Sequence, residues 1–151
     1  MKNVKISTRL NSLLFAESTN TQQAIVLLCF RVLLSLELIV VHGLKKLGIP
    51  NGVAEVIPNP YNMPLWINEN IALAANLICP ILVILGLFTR LATLPILAVT
   101  LSGYFIVHGH DSLLVRDIPF MYSLCFLFLT FTGAGKYSLD TIIAKNTINH
   151  D

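Results

Sequence analysis

Arg31 and Glu37 are the residues whose placement most needs a chemical explanation, because each interrupts an apolar run from Ala24 to Val41. On insertion scales an ion at the centre of a membrane helix costs about 2.5–3.5 kcal/mol, so each calls for a partner or a task. Six residues apart, the two lie about 120° apart around a helix, which disfavours an ion pair on one face. Arg31 and His42, eleven apart, share a face with about 16 Å of helix rise between them. Two uses fit these residues. In a structural use, Arg31 snorkels or bonds neighbouring carbonyls while Glu37 is protonated or bonded to another helix. In a chemical use, they line a polar track for a quinone headgroup or a proton.

A second constellation depends on topology. His42, Lys45 and Lys46 leave the first apolar run on the side where His108, His110, Asp111, Arg116 and Asp117 join the third run to the fourth. Three histidines and two carboxylates are thereby expected at one mouth. Imidazoles titrate near neutrality and suit a hydrogen bond to a quinone carbonyl, or a metal. A His-x-His pair in a loop is a common pattern, and no metal site is assigned from it. Asp117 also reads as an N-cap of the fourth helix. Asn76, Tyr104 and Tyr122 lie within apolar runs and need partners in the interior, where such groups usually join helices. The ligand-binding candidates are therefore Arg31, Glu37, His42, Asn76, Tyr104, His108 and Tyr122. Lys45, Lys46, His110 and Arg116 are candidates for docking a partner.

Other chemistries lack residues. Cys29, Cys79 and Cys125 form no C-x-x-C, and single cysteines in apolar runs act as small hydrophobes. No dinucleotide fingerprint, P-loop, nucleophile elbow or zinc-protease motif is present. The four histidines sit at the ends of apolar runs or outside them, and no flavin, haem or metal motif is found. No catalytic set emerges, and the chain does not read as a complete enzyme. Ten basic against eight acidic residues, with no basic stripe, exclude nucleic acid as a partner.

The elements that must position these residues follow from composition. Of 151 residues 55% are hydrophobic and 12% charged, with a mean hydropathy of +0.75. Soluble domains carry about a quarter charged residues, so the solvent for this surface is lipid. Four apolar runs, Ala24–Val41, Ile71–Phe88, Leu91–Val107 and Ile118–Thr132, predict four membrane-spanning helices in an all-α bundle. The last of these has an alternative start near Leu113. A loop with Pro50, Pro58, Pro60 and Pro64 joins the first two spans, and Tyr61 and Trp66 suit the membrane interface. It is expected to cap one mouth of the bundle. The second and third spans form a tight hairpin at Phe88-Thr89-Arg90, and Pro80 and Pro95 are expected to kink their helices. The domain plan is an N-terminal arm over 1–23, the transmembrane domain over 24–135 and a tail over 136–151. The apolar run after the arm is too long for a cleaved signal peptide. Lys2, Lys5, Arg9, Arg90, Lys136 and Lys145 lie on one side of the four spans, against Lys45, Lys46 and Arg116 on the other. That asymmetry places both termini in the cytoplasm.

Three stretches carry a family resemblance. His42-Gly43-Leu44-Lys45-Lys46-Leu47 resembles the Gly-x-x-Lys-Leu signature of DoxX-like membrane proteins. Ile84-Leu85-Gly86-Leu87-Phe88-Thr89-Arg90-Leu91 is similar to that family's hairpin. Gly133-Ala134-Gly135-Lys136-Tyr137-Ser138-Leu139-Asp140 resembles its closing Gly-x-Gly-x-x-Ser-Leu-Asp, and Arg31 fits the pattern. The resemblance implies a four-helix protein of the bacterial inner membrane. It further implies a non-autonomous subunit of a quinone-linked oxidoreductase or oxidative-stress complex, with quinone as cofactor and with lipid and protein partners. It supplies no agreed catalytic residues. A non-catalytic scaffold or cargo-recruiting protein is the alternative. A small-molecule transporter comes third, since the two halves show no internal symmetry.

Overall fold

The computed structural model describes residues 20–49 and 52–148, and among them there is no strand. Four helices are long and apolar enough to cross a bilayer: α1 (Asn20–Lys46), α2 (Leu65–Leu85), α3 (Thr89–Val107) and α4 (Leu113–Thr132). About 20 residues at 1.5 Å each match a hydrocarbon core of about 30 Å. A short α5 (Leu139–Ile148) follows. The expected arm over 1–23 lies almost wholly outside the described residues.

The helices exceed the expected spans mainly at their polar ends. α2 starts at Leu65 because Pro64, fixed in an extended conformation, sits at its N-cap, so Trp66 lies in the helix and not in the loop. α4 starts at Leu113, its alternative start. Asp117 is therefore inside α4 and is not its N-cap; extended Ser112 holds that position without a side-chain bond.

Consecutive helices pack side by side: α1 on α2, α2 on α3 and α3 on α4. α1 also meets α4 through edge-on ring pairs, Phe30 with Phe128 at 5.8 Å and His42 with Tyr122 at 5.3 Å. Leu38, Val83, Ile96, Phe126 and Leu129 fill the core at 1% exposure or less. Lipid is as apolar as leucine, so polar groups help join the helices. Thr130 donates to Thr93 and Ser123 to Thr100, each at 2.9 Å, linking α3 to α4. The outer surface is apolar, as a surface facing lipid must be, with Val26 and Leu33 each 66% exposed.

At the hairpin end two of the three stretches that carry the family resemblance, residues 84–91 and 133–140, interlock with Arg31. Gly86 ends α2 in the left-handed region (φ +67°), and Phe88 takes the same region before α3 begins. The chain therefore turns at Gly86–Phe88, slightly before the expected Phe88-Thr89-Arg90. A Cβ on Gly86 would collide with both the Arg31 guanidinium and the Ser138 side chain, so only glycine fits. Arg31, 1% exposed, donates to the carbonyls of Ala134 (2.6 Å) and Tyr137 (2.9 Å). Asp140 accepts from the Phe88 and Thr89 amides at 2.8 and 3.2 Å, and its own amide donates to Gly86 at 2.9 Å. A carboxylate there satisfies N–H groups that the first turn of a helix leaves unpaired.

Three of the four spanning helices contain a π-helical segment: Leu38–Gly43 in α1, Ala74–Ile78 in α2 and Gly103–Val107 in α3. In such a segment an extra residue bulges the helix, and such bulges collect at functional sites. Pro80 lies two residues beyond the segment in α2 and lacks the N–H that would pair with a carbonyl one turn back. Gly43 lies so close to α2 that a Cβ there would stand 2.6 Å from the Asn76 carbonyl oxygen.

Candidate functional site

All three π segments contribute walls to one cavity of about 620 Å³ at the end of the bundle away from the hairpin. Leu38 and His42 come from α1, Asn76 from α2, and Gly103 and Val107 from α3; Tyr122 of α4 closes the fourth side. The volume suits a drug-sized or cofactor-sized ligand, and a mostly apolar wall with a few polar groups is how such sites are built.

The loop expected to cap a mouth does so here. Val56, Ile57, Pro58, Pro60, Tyr61 and Met63 roof the cavity. Three attachments hold the roof. The Tyr61 hydroxyl shares a 2.8 Å hydrogen bond with Ser102 of α3. Asn68 of α2 donates to the Pro58 carbonyl at 3.0 Å. Glu55 forms ion pairs with Lys45 (3.1 Å) and Lys46 (4.0 Å), while its amide donates to the Lys45 carbonyl at 3.2 Å. A partly exposed ion pair contributes little stability, so these contacts fix geometry more than they add strength.

Polar groups stand at two depths. Inside, Asn76 is 4% exposed and donates to the Ala72 carbonyl at 2.7 Å, while the His42 ring stands edge-on to Tyr122. At the rim, His108 bonds Asp111 through Nδ1 at 2.7 Å. With Nδ1 engaged, Nε2 is the imidazole nitrogen left for a ligand.

The sequence candidates divide accordingly. His42, Asn76, His108 and Tyr122 line the cavity, and Lys46 reaches its rim. Arg31 is at the opposite end, in the interlock. Glu37 is exposed on the outer face of α1. Tyr104 lies beside the cavity, edge-on to Phe105, tilted against Phe120 and covered by the Arg116 guanidinium, 4.4 Å from its ring centre. Arg116 also donates to the Gly109 carbonyl at 3.3 Å. His110 is exposed and outside the cavity wall, so two histidines and not three converge there, and among the described residues no cluster has the makings of a metal site. Glu55, Asn68, Thr100 and Ser102 also line the cavity and were not singled out from the sequence. Thr100 had a visible signal, since with Thr93 it places hydroxyls seven apart on one face of the third span.

Comparison with known proteins adds the following. A family model described as DoxX matches residues 26–109, which takes in most of α1, the cap, α2 and α3 but neither α4 nor the closing stretch after it. An uncharacterized protein of Haemophilus influenzae is 35% identical over 111 residues, covering 68% of this chain and 74% of that protein. No solved structure matches.

Proposed function

The chain belongs to the DoxX family of multi-pass membrane proteins, and from that premise we propose that it is a non-autonomous membrane subunit of a quinone-linked oxidoreductase or oxidative-stress complex. The observation that carries this reading is the roofed cavity of about 620 Å³ framed by three π-helical segments. A quinone headgroup is flat and weakly polar, with carbonyl oxygens that accept hydrogen bonds. His42, Tyr122 and His108 present donors for those oxygens, and the apolar walls suit the ring and the first part of a tail. The protein sits in a bacterial inner membrane with both termini in the cytoplasm, so the cavity opens toward the periplasmic face. Soluble partners supply the rest of the redox chemistry.

The test is equilibrium binding of a short-chain ubiquinone analogue to the protein in lipid discs. Replacing His42 by leucine and Tyr122 by phenylalanine together is expected to weaken binding at least tenfold with little change in thermal unfolding. Undiminished binding would remove the quinone from this cavity.

One observation favours the scaffold reading. Among the resemblance-bearing residues, Arg31, Gly86, Thr89 and Asp140 are engaged in holding the hairpin end together, away from any cavity ligand. On that reading the family pattern maintains a bundle whose use differs among its members, and a protein purified in native lipid carries partners but no bound redox ligand.

A further inference from the structure

The exposed carboxylate of Glu37 lies within a membrane span. It belongs to α1, about 9 Å of helix rise from Arg31 toward the cap and about 14 Å short of Lys46. Its side chain has no ion pair or hydrogen bond among the described residues. An ionisable group facing lipid without a partner is unfavourable, and such groups in membrane proteins mark a contact.

The helix face beside Glu37 has the spacing that a contact of this kind uses. Val26, Cys29, Leu33, Leu36 and Val40 are all exposed, at intervals of three, four, three and four residues. That is the spacing of a seam that seats another helix, and Glu37 directly follows a seam position, where charges select the partner. We propose that the outward face of α1 docks a transmembrane helix of a different protein, one that presents a basic side chain to Glu37.

A second copy of this chain does not fit the requirement. Within the described spans Arg31 is buried and bonded to two carbonyls. Lys45, Lys46, Arg90 and Arg116 lie at helix ends or within two turns of them, and Lys45 and Lys46 already pair with Glu55. Two copies meeting along α1 would bring Glu37 to Glu37. Among the described spans no basic side chain is left to meet Glu37, so the cation is assigned to another protein, and the inference holds whatever the cavity binds.

A photoreactive phenylalanine analogue placed at Val40 in the full-length protein, in its native membrane, tests this. A control probe replaces Phe105, which is 65% exposed on α3. The probe at Val40 is expected to cross-link one other protein, at a spanning helix with a lysine or arginine identified by mass spectrometry. Glu37→Lys should lower that yield at least tenfold, and changing the partner's basic residue to glutamate should restore it. Glu37→Gln, which inserts in lipid at lower cost, should lower the yield without disturbing folding. Cross-links only to lipid, to a second copy or to this chain's own N-terminal arm would overturn the proposal. So would a yield that neither Glu37 variant changes.

Discussion

Arg31 shows how far residue type and spacing lead. An arginine in an apolar run requires compensation, and bonding to neighbouring carbonyls was one of two uses open to it. The carbonyls belong to Ala134 and Tyr137, more than 100 residues along the chain. That pairing depends on helix depth and on where the chain returns, neither of which spacing encodes. Hydrogen bonds to charged groups contribute about 1.5–3 kcal/mol each. Arg31→Met is therefore expected to destabilise the bundle by about 3 kcal/mol, read by chemical unfolding in detergent, and to expose the chain near Lys136 to trypsin. The fraction that remains folded should bind the quinone analogue as before, because Arg31 does not line the cavity. His108 is a second case: it was expected at one mouth together with His110 and Asp111, and of these it bonds Asp111, three residues on. Asp111→Asn is expected to shift the His108 tautomer balance, visible as a change in imidazole nitrogen chemical shifts.

At the scale of elements, four helices, the capping loop and the hairpin were legible because each has a strong local signal: a long apolar run, clustered prolines, or Leu-Gly-Leu with no linker. The π segments were not legible. An extra residue in a turn is set by packing against neighbours, and Pro80 announced a disturbance without giving its form. Asn76, which one of these segments carries to the cavity wall, was accordingly read both as a join between helices and as a ligand candidate. Asp140 is a related case, since its position just after the fourth span indicates a helix start, yet its carboxylate caps α3 from across the bundle. Losing a side-chain cap costs about 1 kcal/mol. Asp140→Ala should lower stability by about that amount and raise hydrogen exchange at the Phe88 and Thr89 amides, leaving amides near the cavity unchanged.

At the scale of the whole molecule the bundle has two unlike ends: an interlocked one at the hairpin and an open one under a roof held by Tyr61, Asn68 and Glu55. Composition made the membrane plain, and four spans put the hairpin on the same side as both termini. On the proposed orientation the interlocked end faces the cytoplasm, so a fluorescent reporter fused C-terminal to α5 should be bright, and an alkaline phosphatase fused there inactive. The existence of a cavity was not legible, because volume is what remains after every helix has packed. The central claim is that this volume holds a quinone, and the direct measurement is the quinone content of the protein extracted into native lipid discs. The account predicts near-stoichiometric quinone above the level of the surrounding lipid, lost when His42 and Tyr122 are both replaced. Quinone no higher than bulk lipid, or equally retained by that double variant, would contradict it.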